Sequence, residues 1–148
     1  MPARVYMEAF LVDAEEYLTE IDQAALSLEA EGPSPEKVKE LFRAFHNIKT
    51  SAGTLALTAI VNFCHHVENL LDPVQKGTIP ISSKFVDLVL RSADQVACLL
   101  DVERGEHGPD PRLTQKLISD LCQHAGLPVH PHADDAPTDI EEDSVFLS

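Results

Sequence analysis

Residues 36–54 read EKVKELFRAFHNIKTSAGT, and their apolar residues recur at intervals of three and four. This spacing is typical of a helix that lays one face against a protein core. The two residues before it, Ser34 and Pro35, match the preferred N-cap and first position of a helix. The segment therefore predicts an amphipathic helix that turns the following residues inward: Val38, Leu41, Phe42, Phe45, Ile48 and Ala52.

The same helical spacing recurs in four further segments. One precedes this helix and covers residues 7–28, and three follow it. The predicted cap is Thr58 for the first of these and Ser82 or Ser83 for the second, and the last is predicted to open at Asp110 and Pro111. The last helix is the shortest, and its predicted inward residues are Leu113, Leu117, Ile118 and Leu121. Because the links are short and no segment alternates as a strand does, we expect an all-α fold. Its predicted form is an antiparallel up-and-down four-helix bundle with an additional C-terminal helix.

The composition changes near residue 127. Residues 127–148 contain six acidic residues and no Lys or Arg, and they are rich in Pro and Asp. Such a segment buries too little apolar surface to fold alone, which predicts an acidic disordered tail or linker. We therefore assign residues 1–126 to the helical domain. The six tail charges leave −8 of the total net charge of −14 on that domain.

The charge and the cysteines exclude several classes of protein. A net charge of −14 argues against binding to nucleic acid or to an anionic membrane. No run of 18 apolar residues and no signal-peptide pattern is present, so we expect no membrane insertion and a cytoplasmic location. The three cysteines are far apart and form no CxxC pair, which predicts free thiols and no metal site.

The face of residues 36–54 opposite the apolar stripe is basic. Four of the chain's 11 Lys and Arg residues lie between residues 37 and 49, with His46 in their midst on the predicted solvent side. This positive patch on an acidic chain suits an anion that arrives at His46. Lys49, one helical turn away, could contact a phosphoryl oxygen as a compact cation. The complete stripe is Lys39, Arg43, His46, Lys49, Thr50 and Gly53.

A second polar cluster reads CHHVE at residues 64–68, on the third predicted helix. In an antiparallel bundle that helix lies beside the second, so Glu68 could accept a hydrogen bond from Nδ1–H of His46. The Nε2 lone pair would then be free to act as a nucleophile.

The residues alone leave other interpretations open. An exposed histidine among lysines is often an ordinary solvated surface, and the chain is then a plain helical interaction domain. His65, His66 and Glu68 also permit a helical metal-binding domain, although two ligands on one helix are weak evidence for it.

The run FRAFHNIKTSAGT at residues 42–54 closely resembles the phosphoacceptor motif of histidine phosphotransfer (HPt) domains. The run HHVENLLD at residues 65–72 continues the resemblance, which covers residues 6–101. Within the family, the sequence is most similar to the N-terminal domain of CheA-type chemotaxis histidine kinases.

This resemblance implies a role for each matching residue. It implies that His46 is phosphorylated through Nε2, that Glu68 hydrogen-bonds His46, that Lys49 supports the site and that His65 belongs to the same network. Gly53 matches a family glycine near the acceptor. Two positions depart from the family, since Thr50 and Ala56 stand where it usually has glycine. We expect Thr50 to narrow the choice of partner rather than to abolish transfer.

The resemblance further implies a phosphocarrier in two-component signalling. Its expected partners are a histidine kinase catalytic domain and the receiver domain of a response regulator, which accepts the group on Asp. We expect a monomeric domain with no cofactor of its own, because Mg²⁺ belongs to the partner domains. No phosphate-cradling Gly-rich loop is present, so ATP binding by the chain itself is not expected. The chain fits either a stand-alone carrier or a domain of a histidine kinase. The alternative is a non-catalytic helical adaptor that docks signalling partners without phosphotransfer.

Overall fold

The computed structural model describes residues 2–127 and contains five α-helices within them. The predicted all-α fold is confirmed, and no strand occurs in this range. The helices are α1 Pro2–Glu31, α2 Pro35–Thr54, α3 Thr58–Gln75, α4 Ser83–Glu103 and α5 Pro111–Ala125.

Four helices form a closed ring around one core. Helix α1 packs against α2 and α4, while α3 packs against both α2 and α4. Helix α5 lies outside the ring, in contact with α3 and α4. The core is mainly aliphatic with four buried phenylalanines, and its largest fully buried members are Phe45, Phe85, Ile21, Leu41, Ile48, Ile60, Leu70, Leu71, Leu88, Leu100, Leu121 and Val38.

Three predicted N-caps are present. Ser34 Oγ accepts a hydrogen bond from the Lys37 amide, Ser82 Oγ accepts one from the Phe85 amide, and Asp110 Oδ1 accepts one from the Arg112 amide. Each side chain satisfies an amide that the first helical turn leaves without a carbonyl partner. These caps set where α2, α4 and α5 begin.

The predicted cap at Thr58 is wrong. The N-cap of α3 is Leu57, which makes no side-chain capping bond. The Leu57 carbonyl already accepts from the amides of Ile60 and Val61, so Thr58 lies inside the first turn. A hydroxyl at that position is one residue too late to cap the helix.

Phe42 is partly buried and packs against the core as predicted, and its ring also lies beside His46. Leu113, which was predicted to face inward, is instead 66% exposed, and it lines a surface cavity of about 370 Å³ together with Cys98 of α4. Further along α5, Leu117 and Leu121 are buried, so the helix is held by its middle and end.

The link between α2 and α3 is only three residues long and contains an unusual backbone conformation. Ala56 has φ +59°, the left-handed region that favours glycine. The amides of Ala56 and Leu57 donate back to the carbonyls of Gly53 and Ala52, which closes the turn. This turn makes α3 run back along α2. Ala56 lies at a position where the family that the sequence resembles usually has glycine.

The predicted tail falls almost wholly outside the described residues, which end at Leu127, so the boundary at residue 126 stays a prediction. Within residues 2–127, no helix combines the length and the apolar character needed to cross a membrane.

Candidate functional site

His46 lies in the middle of α2 on its outer face. Its neighbours Phe45 and Ile48 are fully buried, whereas 47% of the His46 side chain is exposed. The helical repeat alone produces this alternation, because a residue between two inward positions must point outward. The imidazole is therefore fixed at its base and accessible at its tip.

Glu68 reaches this imidazole from α3. Its Oε2 accepts a hydrogen bond from His46 Nδ1 at 2.7 Å, while its Oε1 accepts one from Lys49 Nζ at 2.6 Å. A carboxylate can only accept, so Nδ1 carries a proton, and in the neutral imidazole the lone pair is then on Nε2. The sequence-based expectation for the His46–Glu68 pair agrees with this contact.

The carboxylate of Glu68 is only 10% exposed, and a buried charge needs compensation. Lys49 supplies a positive charge and His46 a hydrogen-bond donor, one to each oxygen. The packing beneath them is rigid, since Val67 and Leu71 on α3 are fully buried. The site is thus a small ion-paired unit placed on the α2–α3 interface.

Lys49 occupies a different position from the one expected for a direct contact with a phosphoryl oxygen. Its Nζ is bound to Glu68, and the side chain is 23% exposed. Lys39 and Arg43, by contrast, are exposed on the same face of α2 and form no ion pair with any acidic residue of the described range. Lys49 therefore neutralises the Glu68 carboxylate, while Lys39 and Arg43 add positive charge to the exposed surface of α2.

An aromatic contact at the site was not foreseen from the sequence. The rings of Phe42 and His46 lie almost parallel, with an interplanar angle of 8° and centroids 6.0 Å apart. The separation of four residues within one helix was the available signal, because residues so spaced share a face. The apolar character of Phe42 had assigned it only to the core.

His65 and His66 do not join this unit. His65 is exposed and makes no hydrogen bond to His46 or Glu68 within the described residues. His66 faces α5 and lines a surface cavity of about 330 Å³ with Gln95 and Thr114. Burial lowers the pKa of His66, and the neighbouring His65 lowers it further.

The metal-binding interpretation gains nothing from the structure. Glu68 turns toward α2 and His66 toward α5, so these two side chains diverge. Residues 2–127 contain no group of three or more His, Cys, Asp or Glu placed to hold a metal ion.

Thr50, which departs from the family, and Gly53, which matches it, differ in their surroundings. The exposed Thr50 uses its hydroxyl to donate to the Asn47 carbonyl of its own helix at 3.1 Å, so its methyl group remains the feature a partner would meet. A methyl group added at Gly53 would lie 3.9 Å from a Val61 methyl, an ordinary contact. The packing of this chain therefore does not itself require glycine at residue 53.

Cys64 lies one turn before Glu68 and is fully buried. Burial and, to a smaller extent, the Glu68 carboxylate raise the pKa of its thiol to about 12, while Lys49 opposes the rise. A thiol with such a pKa remains neutral at physiological pH and is a poor nucleophile. Cys64 is therefore not a candidate nucleophile at this site.

Comparison with known proteins identifies relatives of this chain. A sequence model of the Hpt domain matches residues 5–106. The chemotaxis protein CheA of Salmonella typhimurium is 31% identical over 120 residues, and that of Rhizobium meliloti is 35% identical over 114 residues. The matches cover 81% and 77% of this chain but 18% and 15% of the relatives, so the chain spans less than a fifth of their length.

A solved structure has the same fold. It is the phosphorylated P1 domain of CheA3 in complex with CheY6 from R. sphaeroides, with a TM-score of 0.73 and 21% sequence identity. The match covers 82% of this chain and 95% of that chain.

Proposed function

The chain belongs to the Hpt domain family, and from that membership we propose that it is a phosphocarrier in two-component signalling. In this role Nε2 of His46 accepts a phosphoryl group from a histidine kinase catalytic domain. The group then passes to the Asp of a response regulator receiver domain. The observation that carries the proposal is the pair of contacts to Glu68, which hold an exposed imidazole with its Nε2 lone pair outward.

The first half-reaction needs only the lone pair. Nε2 attacks the γ-phosphorus of ATP held by the kinase, the bond from that phosphorus to the bridging oxygen breaks, and ADP leaves. The imidazole then carries positive charge while Nδ1 keeps its proton. Glu68 stabilises that charge at 2.7 Å, because its carboxylate faces the ring from the side opposite the attack.

The second half-reaction returns the electron pair to the ring. A carboxylate oxygen of the receiver's Asp attacks phosphorus, and the phosphorus–nitrogen bond breaks. His46 recovers its neutral Nδ1–H form without a proton transfer at any step. Mg²⁺, where it is needed to screen phosphoryl charge, belongs to the partner domains in this scheme.

The relatives support the choice of partners. They are named as chemotaxis proteins, and the solved neighbour is in complex with CheY6. We extend these associations to this chain as a kinase catalytic domain on one side and a receiver domain on the other, with the helical domain itself monomeric and cytoplasmic. The relatives are several times longer than this chain. We therefore also propose that the chain is one domain of a complete histidine kinase.

A labelling experiment tests the acceptor. The chain is incubated with radiolabelled ATP and the catalytic core of a CheA-type kinase, next to His46→Gln and His107→Gln variants. His107 is a matched control because it is an exposed histidine in the loop before α5. We expect label on the parent and on His107→Gln, none on His46→Gln, and the acid lability and base stability of a phosphoramidate.

Two results would contradict the proposal. Undiminished labelling of His46→Gln would place the acceptor elsewhere. Receiver binding without any label on the parent would favour the non-catalytic adaptor.

A further inference from the structure

We infer that Phe42 is a positioning residue that fixes the ring plane of His46 and thereby the direction of its Nε2 lone pair. The inference rests on the proposed function, since it concerns the reactivity of the same imidazole. The two rings lie 8° from parallel with centroids 6.0 Å apart, an offset-stacked arrangement.

One hydrogen bond does not orient an imidazole completely. The contact between Nδ1 and Glu68 fixes one direction in the ring plane, but the ring can still rock about the line joining those two atoms. The torsion that connects a histidine ring to its Cβ has a broad profile and resists such rocking weakly. Something else must hold the plane if Nε2 is to point in one direction.

The face of Phe42 supplies that restraint. It lies one turn toward the N-terminus of α2, on the same face as His46, and it is half-buried. Rocking of the imidazole would either drive its edge into the phenyl ring or open a gap against it. Glu68 therefore acts within the ring plane and Phe42 acts perpendicular to it.

This restraint matters because in-line attack on phosphorus depends on alignment. A displacement of about 1 Å at a reacting atom can lower a rate by about a hundredfold. Phe42 also packs against the core, so the test must separate the planarity of its side chain from its packing. The inference therefore predicts different labelling rates for planar and non-planar side chains at residue 42.

The test compares Phe42→Leu and Phe42→Met, which fill space without a plane, with Phe42→Tyr, which restores the plane. Each is phosphorylated with phosphoramidate, a small donor that needs no docking surface, and separately with the kinase core and ATP. With phosphoramidate, Nε2 attacks phosphorus, the phosphorus–nitrogen bond of the donor breaks and ammonia leaves. We expect Leu and Met to slow labelling about three- to tenfold with both donors, and Tyr to stay within about twofold of the parent.

Two further measurements exclude a purely structural effect. The melting temperatures of the Leu and Tyr variants should agree closely, because residue 42 is only half-buried. The carbon-bound ring protons of His46 should lose their ring-current shift in the Leu and Met variants and keep it in the Tyr variant.

The outcomes are distinguishable. Equal rates for Leu and the parent overturn the inference and leave the proposed function intact. A slower rate with the kinase but not with phosphoramidate also overturns it, since Phe42 would then be a docking contact. A parent that takes no label at His46 from either donor overturns the proposed function instead.

Discussion

At the scale of single residues, Glu68 supplies the negative charge and the hydrogen-bond acceptor that the proposed reaction at His46 needs. One carboxylate serves both His46 and Lys49, and it is 10% exposed. Glu68→Gln keeps the size and an acceptor oxygen but removes the charge that stabilises the developing imidazolium. Because a hydrogen bond to a charged group contributes about 1.5–3 kcal/mol, we expect phosphorylation to slow by about ten- to a hundredfold.

The measurement is the initial rate of labelling by the kinase core. Glu16→Gln, an exposed position on α1, is the matched control and should label at the parent's rate. Nitrogen-15 shifts of the imidazole report the tautomer directly. A parent-like rate for Glu68→Gln would show that the charge plays no part in the reaction.

Ala56 has a left-handed backbone at φ +59° and gives a prediction about stability. The strain of such a conformation in a residue with a Cβ is about 1–2 kcal/mol, while glycine adds freedom to the unfolded chain worth about 0.4–1 kcal/mol. Ala56→Gly should therefore raise the free energy of unfolding by about 0.5–1 kcal/mol, as measured by urea denaturation. Ala59→Gly, in the first turn of α3, should lower it by a similar amount. If both changes destabilised the protein, the turn would not be strained.

At the scale of helices, the pairing of α2 with α3 positions the site. Leu71 is fully buried on α3, whereas Leu113 on α5 is 66% exposed. Truncating a buried leucine to alanine typically costs about 2–5 kcal/mol. Leu71→Ala should therefore lower the free energy of unfolding by that amount, and Leu113→Ala by about 0.5 kcal/mol or less. Similar losses from the two variants in chemical denaturation would mean that the assigned burial is wrong.

Helix positions were largely predictable because capping and periodicity are local. Ser34, Ser82 and Asp110 each act within three residues of their own position, and their caps were foreseen. Thr58 was assigned wrongly because a tight turn shifts the start of α3 by one residue. Leu113 was assigned wrongly because periodicity shows which residues share a helix face, but not how far a neighbouring helix covers that face.

At the scale of the whole molecule, the core lies within the helical bundle. The buried apolar residues of the described range run from Phe10 to Leu121. Residues 128–148 are acidic and rich in Pro and Asp, so we expect a chain that ends at Leu127 to match the free energy of unfolding of the 148-residue chain within about 0.5 kcal/mol and to take label at His46 at the same rate. A chain that ends at Pro109 loses α5 with Leu117 and Leu121, and its melting temperature should fall clearly. A comparable loss on removing residues 128–148 alone would place part of the fold in that segment.

The site was predictable in part for a related reason. The contact between His46 and Glu68 followed from an exposed histidine, an antiparallel pair of helices and the resemblance to HPt domains. The contact of Lys49 with Glu68 and the stacking of Phe42 depend on side-chain rotamers that only the packed molecule selects. His65, which the resemblance placed in the network, is exposed, and its role stays a prediction.

The contact between α2 and α3 also makes phosphotransfer depend on whether the molecule is folded. Glu68 is 22 residues from His46 in the chain, so its carboxylate reaches the imidazole only when α2 and α3 pack together. A half-synthesised or heat-damaged copy contains the same histidine but lacks the carboxylate beside it. Under the proposed function, such a copy takes up the group slowly and passes little on. An unfolded molecule therefore takes little part in phosphotransfer and does not generate a false signal. Only folded molecules transfer the phosphoryl group efficiently.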